Sequence, residues 1–251
     1  MSVLIAVAHG SRDPRSAETV AAVVDGVRLR RPDLDVRVAY LDLTEPAVGT
    51  VIGEVAAEGH SSAVVVPLLL GSAFHARVDL PGILDAARVR YPWVTFTQAD
   101  VLGDDSRLVD VLRARVLGTG VDRDDPDVAV AVAAVGSSDS LANRRTRTLA
   151  SRLLVGTEWS GAQVCFATGV ESPPADAVAR LTAAGPRRVV VAPWFLAPGL
   201  LIDRVFGAFD NSALRADVLG DHPLVADVVS SRFDEAPRYQ PRIDESSTVR
   251  R

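Results

Sequence analysis

The sequence predicts an α/β protein of two tandem domains, each a small doubly wound parallel sheet flanked by helices. Short apolar runs alternate with amphipathic stretches, the pattern of parallel strands joined by helical crossovers. Residues 135–201 also align without a gap on residues 9–75 when they are shifted by 126 positions. The hydrophobic fraction of 48%, with 24% charged residues, is that of a globular protein with a good core.

The first copy contains four predicted strands and four predicted helices. The strands are the apolar runs at 3–8, 35–41, 62–70 and 95–99. The helices are the amphipathic stretches at 14–30, 46–58, 77–90 and 105–117. Pro14 and Pro46 fall in the first turn of a helix, where the missing N–H removes no hydrogen bond.

The second copy repeats this order. Its predicted strands lie at 128–134, 162–167, 187–193 and 214–218, and its helices at 140–154, 173–184, 200–209 and 222–233. The sequence Val-Leu-Gly-Asp at 101–104 recurs at 218–221, so the repeat continues at a shorter offset. We therefore expect an N-terminal domain at 1–118, a linker at 119–126, a C-terminal domain at 127–235 and a disordered tail at 236–251.

The second copy keeps the glycines, the proline and the apolar runs of the first, but it loses three chemically active residues. The replacements are His9 by Val135, Asp42 by Thr168 and His75 by Leu201. A duplication that retains its structural residues retains a fold. The loss of two imidazoles and a carboxylate indicates that the chemistry remained in the first copy.

These three residues follow the first, second and third predicted strands, so the topology brings them to one edge of one sheet. Ligands of such sheets bind beyond the carboxyl ends of the strands. Two imidazoles and a carboxylate suit a divalent transition metal such as Fe²⁺, Co²⁺ or Ni²⁺. They equally suit proton transfer near neutral pH.

Anion-binding groups are predicted around this edge. Gly10, Ser11 and Arg12 open the first helical region, where exposed N–H groups favour an anion and a guanidinium can hold a carboxylate. Arg15 and Arg77 add positive charge at the same rim.

Several other titratable residues fit structural roles better. Glu45 is kept as Glu171, which favours a place near a helix N-terminus. His60 and His222 are interpreted as surface residues, and the single cysteine, Cys165, as core packing.

Composition excludes several function classes. A net charge of −5 and a pI of about 5.4 argue against a nucleic-acid-binding protein. The chain contains no lysine, which excludes a P-loop nucleotide hydrolase. We expect no membrane span and no signal peptide, and the lack of disulfides fits a cytoplasmic protein.

Three segments together resemble the sirohydrochlorin chelatases, the small class II chelatases of sirohaem and cobalamin synthesis. They are Ala-His-Gly-Ser-Arg at 8–12, Tyr-Leu-Asp-Leu-Thr-Glu-Pro at 40–46, and Pro-Leu-Leu-Leu at 67–70 running into His-Ala-Arg-Val-Asp-Leu-Pro at 75–81. The two-copy layout is similar to that of the longer members, which implies two tandem chelatase-like domains.

The resemblance implies insertion of Fe²⁺ or Co²⁺ into the tetrapyrrole sirohydrochlorin, without ATP or an organic cofactor. The family's two histidines fall on His9 and His75, and Asp42 stands where the family often has Glu. In single-domain relatives two chains form the cleft. Here the second domain takes the partner's place, so a monomer is plausible.

A mechanism follows from this resemblance. Two pyrrole N–H protons must leave as the metal enters, so His9 and His75 would hold the metal and accept protons. Asp42 would complete the set or fix an imidazole tautomer. Arg12 would steer the substrate carboxylates, and the apolar segments 68–70 and 194–198 would line the cleft or belong to the strand core.

Three rival functions differ from this interpretation. A histidine phosphatase needs an arginine where Ala8 stands, and a serine hydrolase needs a Gly-x-Ser-x-Gly elbow, which the sequence lacks. The third is a non-catalytic metal-binding protein, either a metal chaperone or a degenerate chelatase. It would bind metal through His9 and His75 without turnover.

Overall fold

The computed structural model describes residues 1–71, 78–103, 105–168, 172–183, 185 and 188–237. Within these residues, strands and helices alternate from the N-terminus to the C-terminus. The strands are β1 (Ser2–Ala8), β2 (Leu34–Tyr40), β3 (Ser62–Pro67), β4 (Thr95–Gln98), β5 (Val128–Ala134), β6 (Gly161–Phe166), β7 (Arg188–Pro193) and β8 (Leu214–Arg215). The helices are α1 (Pro14–Arg30), α2 (Val48–Ala57), α3 (Leu80–Arg90), α4 (Ser106–Leu117), α5 (Ser140–Leu154), α6 (Pro174–Ala183), α7 (Leu200–Phe206) and α8 (Pro223–Glu235).

The strands form two parallel sheets with the same topology. The order is β2-β1-β3-β4 in the first sheet and β6-β5-β7-β8 in the second. The register pairs Ala8 with Tyr40, and Ala134 with Phe166, at the carboxyl ends of the central strands. Two doubly wound parallel sheets in tandem confirm the predicted fold class.

Two strands end three residues earlier than the sequence predicts. The third strand was expected to reach residue 70 but ends at Pro67, and the last was expected at 214–218 but covers only Leu214–Arg215. Beyond these points the chain still makes single backbone hydrogen bonds to its neighbour, such as Leu68 N to Val7 O at 2.7 Å. Leu68 and Ala216, the residues that make these single bonds, are both buried beyond the end of the regular ladder.

Alternate residues of each central strand face two different cores. Val3, Ile5 and Val7 of β1 pack with α2 and α3, and the first three alanines of β5 pack with α6 and α7. The other faces of both sheets share one continuous core with α1, α4, α5 and α8. The two outer helical layers thus belong to one sheet each, whereas the inner helical layer serves both.

The last helix of each copy packs against the sheet of the other copy. Helix α8 contacts β3 and α1, and helix α4 contacts β7 and α5. Two arginines at the repeat offset of 117 residues strengthen this exchange. Arg232 of α8 donates to Val101 O and Leu102 O at 2.9 and 3.1 Å, and Arg115 of α4 donates to Leu219 O at 2.9 Å. Each copy therefore contributes an element to the other.

No described helix is long and apolar enough to cross a membrane. Cys165 is fully buried in β6, and burial raises the pKa of its thiol to about 11. The thiol is therefore protonated at neutral pH, as expected for a residue that fills a core. Of the tail predicted at 236–251, all but the first two residues lie outside the described residues.

Candidate functional site

His9 and Asp42 lie side by side just beyond the carboxyl ends of β1 and β2. The backbone ladder continues past the strands, with Leu41 N donating to Ala8 O and Asp42 N to His9 O, both at 3.0 Å. Both side chains are exposed. The structure thus brings these two predicted site residues together at the sheet edge where parallel α/β sheets bind ligands.

Gly10 makes this closeness possible. Its φ is +94°, and a Cβ placed on it would lie 1.7 Å from the carbonyl oxygen of Asp42. No other residue type fits at this distance from a backbone atom. The group that Gly10 approaches is a neighbouring segment of the protein itself.

Thr44 ties the segment after β2 to the turn after β1. Its Oγ1 accepts from Ser11 N and donates to Ser11 O, both at 3.0 Å. Asp42 Oδ1 accepts from Leu43 N at 2.8 Å, which fixes the carboxylate near its own backbone. These hydrogen bonds hold the residues around His9 and Asp42 as one unit.

The N–H groups of the Gly10–Ser11–Arg12 region are less available to an anion than the sequence predicts. Ser11 N donates to Thr44, Asp13 N donates to Ser11 Oγ at 3.0 Å, and Arg15 N donates to Asp13 Oδ1 at 3.1 Å. Asp13 is the N-cap of α1, so the helix supplies its own anion there. Anion binding at this rim therefore depends on side-chain guanidinium groups.

Two arginines of this rim are placed differently. Arg12 is exposed and makes no ion pair with another described residue. Arg15 pairs with Asp13 and also with Asp203 of α7, each at 2.5 Å. Hydrogen bonding to Asp13, and secondarily to Asp203, raises the pKa of Arg15, and the same guanidinium lowers the pKa of Asp13. The Arg15–Asp203 pair joins the carboxyl-end edges of the two sheets.

The second copy repeats two backbone hydrogen bonds and the left-handed glycine of this site. Ala167 N donates to Ala134 O at 2.8 Å, Thr168 N to Val135 O at 2.9 Å, and Gly136 has a φ of +89°. Thr168 Oγ1 also donates to Val135 O. These backbone contacts are therefore common to both copies, and the copies differ in the side chains at these positions.

Other predicted residues have varied outcomes. His75 and Arg77 lie outside the described residues. Leu68 and Trp194, expected to line a cleft or to belong to the core, are buried in the core, with 3% and 5% of their surfaces exposed. Glu45 accepts from Ala47 N at 2.9 Å, immediately before α2, which is a helix N-terminal position as predicted.

The remaining described histidines, His60 and His222, make other contacts. His60 lies at the amino-end edge of the first sheet, where it forms a candidate ligand group with Asp35 and Glu58. Arg37 pairs with both of these carboxylates and so offsets one of their two negative charges. His222 is the N-cap of α8 and accepts from Leu224 N at 3.2 Å through Nδ1.

Three features of the site were not predicted from the sequence. They are the Thr44 bridge, the Arg15–Asp203 pair and the left-handed backbone of Leu43, whose φ is +61°. The first two join residues 33 and 188 positions apart, which no local pattern reveals. The third had a signal, because the repeat places Gly169 opposite Leu43.

The family profile described as CbiX matches the chain in two segments, residues 3–119 and 129–236. This chain belongs to the CbiX family. The double match agrees with the internal repeat, and it confirms the resemblance to the sirohydrochlorin chelatases in their tandem form.

Similar proteins of known name place this CbiX-family chain among chelatases. It is 28% identical over 250 residues to a sirohydrochlorin cobaltochelatase of Priestia megaterium, covering 94% of this chain and 80% of that protein. It is 26% identical over 239 residues to a sirohydrochlorin ferrochelatase of the same organism, covering 92% of this chain and 88% of that protein. Relatives named for two different metals support chelatase function and leave the metal open.

Solved structures agree with this family assignment. The structure of SirB from Bacillus subtilis with Fe³⁺ has a TM-score of 0.80 and 25% identity, covering 93% of this chain and 94% of that one. A cobalt complex of the chelatase SirB from Bacillus subtilis subspecies spizizenii has a TM-score of 0.74 and 23% identity, covering 93% and 94% of the two chains. At this identity, the second likeness shows the fold alone.

Proposed function

We propose that this protein inserts Fe²⁺ or Co²⁺ into sirohydrochlorin, without ATP, in sirohaem or cobalamin synthesis. One observation carries the proposal: two copies with the same edge backbone differ in that His9 and Asp42 are replaced by Val135 and Thr168. The second copy keeps the fold but lacks the imidazole and the carboxylate, so we assign the chemistry to the first copy. The names of the relatives support the same reaction.

In the proposed reaction, one M²⁺ replaces the two protons of the pyrrole N–H groups, and both protons leave the ring. His9 and His75 hold the metal before transfer and accept protons, which a neutral imidazole can do near pH 7. Asp42 either completes the ligand set or orients an imidazole. Its backbone N–H bond to His9 O keeps the two residues adjacent.

The substrate carries carboxylates around its ring, and the rim arginines supply the opposite charge. Arg12 is exposed beyond β1 and is the first candidate, and Arg77 is assigned the same role from its position in the sequence. Gly10 and Ser11 shape the turn on which these groups stand. The N-terminal copy at 1–118 bears the site, and the C-terminal copy at 127–235 serves as the opposite wall.

An anaerobic absorbance assay with sirohydrochlorin and either metal tests the proposal. Wild-type protein should shift the tetrapyrrole spectrum to that of the metal complex, whereas His9→Ala and His75→Ala should reduce the rate to the uncatalysed level. The matched control is His60→Ala, the same change at the opposite edge of the first sheet, which should retain the wild-type rate.

The outcomes separate the proposal from its rival. Full activity in both His9→Ala and His75→Ala would contradict the assigned mechanism. Metal binding by the wild type without any turnover would instead favour a non-catalytic metal-binding protein. The ratio of the iron and cobalt rates identifies the preferred metal.

A further inference from the structure

Exposed apolar side chains stand at the same edges of the sheets as the proposed site. Leu43 follows β2, Val135 follows β5, Leu141 lies in the first turn of α5, and Leu200 is the first residue of α7. Their exposed fractions are 48%, 46%, 56% and 68%. Large apolar side chains grouped on one surface of a protein commonly mark a binding site.

Leu43 adopts a backbone conformation that disfavours leucine. Its φ of +61° lies in the left-handed region, which glycine adopts without penalty. In the sequence, the second copy has glycine at this position. Because nearly half of the side chain is exposed, core packing does not explain why leucine is present. Strain retained at an exposed position beside Asp42 points to a functional contact.

At two positions of this edge, the second copy has apolar residues where the first has polar ones. Val135 stands in place of His9, and Leu141 in place of Arg15. Both replacements remain exposed. A surface that merely lost its function would be under no physical requirement to become apolar, since exposed polar residues are easily accommodated.

The Arg15–Asp203 pair indicates that the two edges face each other. Arg15 lies in the first turn of α1, six residues after His9, and it reaches α7 of the second copy at 2.5 Å. Leu200 is three residues before Asp203 and therefore lies on the same side of α7. The apolar residues of the second copy thus belong to the wall opposite His9 and Asp42.

We infer that Leu43, Val135, Leu141 and Leu200 form an apolar contact surface for the ring faces of the tetrapyrrole. The inference rests on the proposed function and adds how the ring is recognised. A conjugated macrocycle presents two flat apolar faces and a rim of carboxylates. Apolar walls bind those faces, and the guanidinium groups bind the rim, so the ring is held with its central nitrogens towards His9.

Titration of metal-free sirohydrochlorin, followed by its absorbance, tests this surface without metal insertion. Leu43→Asn removes the apolar side chain but tolerates the left-handed backbone. Leu141→Gln and Leu200→Gln make the opposite wall polar. Each variant should bind the tetrapyrrole about tenfold more weakly, as expected from the loss of one apolar contact. In the chelation assay the KM should rise by a similar factor while kcat changes little.

Val155→Gln is the matched control, because Val155 is 70% exposed just beyond the other end of α5 from Leu141. It should bind like the wild type. The thermal unfolding temperature of Leu43→Asn should equal or exceed that of the wild type. If Leu43 had a purely structural role, the substitution would lower this temperature.

Unchanged affinity and KM in all three site variants, with an active wild type, would overturn the apolar surface and leave the proposed function standing. A wild type that neither binds nor metallates the tetrapyrrole would overturn both.

Discussion

At the scale of single residues, Gly10 is the position on which the site geometry depends most. Gly10→Ala would place a Cβ 1.7 Å from Asp42 O and would also strain a backbone with a φ of +94°. The backbone effect alone amounts to roughly 1–2 kcal/mol, and the clash must separate the segments that carry His9 and Asp42. We expect lower stability in chemical denaturation and a loss of metal insertion of at least about 100-fold.

Gly59→Ala is the control for the backbone effect. Gly59 has a φ of +82°, no atom within 4 Å of the position that a Cβ would occupy, and a place at the opposite edge of the sheet. Because of its backbone conformation, the Gly59→Ala variant should lose about 1–2 kcal/mol of unfolding free energy. It should keep the wild-type turnover number. Equal activity losses in the two variants would show that Gly10 acts through stability rather than through the site.

His222 makes stability depend on pH. Burial lowers its pKa below the usual value, and the positive charge of Arg115 lowers it further. Nδ1 must be unprotonated to accept from Leu224 N. The unfolded chain therefore binds this proton more readily, so the His222 contribution is complete above about pH 6.5 and decreases as the pH falls towards the folded-state pKa.

His222→Asn keeps an N-cap acceptor but does not titrate. As the pH is lowered from about 6.5 to 5, the thermal unfolding temperature of the wild type should fall more steeply than that of the variant. Parallel curves for the two proteins across this range would contradict the assigned role.

The sequence predicts some site residues and misses others for a physical reason. His9 and Asp42 were predicted because strand ends in a parallel sheet converge, and the structure joins their backbones by a hydrogen bond of 3.0 Å. Thr44 and Asp203 were not, because their partners are distant in sequence and their residue types are common in loops and helices. Contacts of this kind depend on how segments are packed, which a one-dimensional pattern does not contain.

At the scale of secondary structure elements, local sequence defines the helix starts best. Helices α1 and α5 begin and end at the predicted residues, because Asp13 and Asp139 are N-caps whose side chains accept from N–H groups of the first turn. Helix α2 begins at Val48 rather than at Pro46, and the predicted first residue of α3, Arg77, lies outside the described residues. Pro46 therefore lies two residues before α2, close to the start of the helix but outside it.

The packing of α1 against α8 depends on a small residue. A Cβ at Gly26 would lie 3.4 Å from Cβ of Ala226, and Arg30 pairs with Asp227 at 2.9 Å along the same contact. Gly26→Leu should force the helices apart and destabilise the protein by about 1–3 kcal/mol, as measured by chemical denaturation.

Gly49→Leu is the control for helix propensity, because Gly49 lies in α2 with open space around it. It should be as stable as the wild type or slightly more so, since leucine is a better helix former than glycine. Destabilisation of the Gly49 variant to the same extent would attribute the effect to leucine itself and not to the α1–α8 contact.

At the scale of the whole molecule, the exchange of α4 and α8 was not predicted. Periodicity shows which face of a helix is apolar, but both sheets offer an equally apolar face to receive it. The repeat therefore predicts two similar units without indicating which sheet each last helix covers. In the structure, Arg115 and Arg232 make the exchange reciprocal by donating to carbonyl groups of the opposite copy.

This exchange predicts that neither half folds stably alone. A fragment of residues 1–124 would retain β1–β4 but lose α8, which would expose the face formed by Leu4 and Val66. Its own α4 would have no β7 to cover. We expect separate fragments 1–124 and 125–251 to lack a cooperative thermal transition, and a mixture of both to regain the transition and any chelatase activity.

A full-length chain cleaved after assembly distinguishes helix exchange from a simple need for an intact backbone. Asp124 is exposed in the segment between α4 and β5, so a protease site inserted there is accessible. Because the shared core and the arginine–carbonyl contacts remain, the cleaved protein should unfold as one unit near the wild-type temperature. Cooperative unfolding of isolated 1–124 with comparable stability would instead mean that each half holds its own core and that the exchanged helices are dispensable.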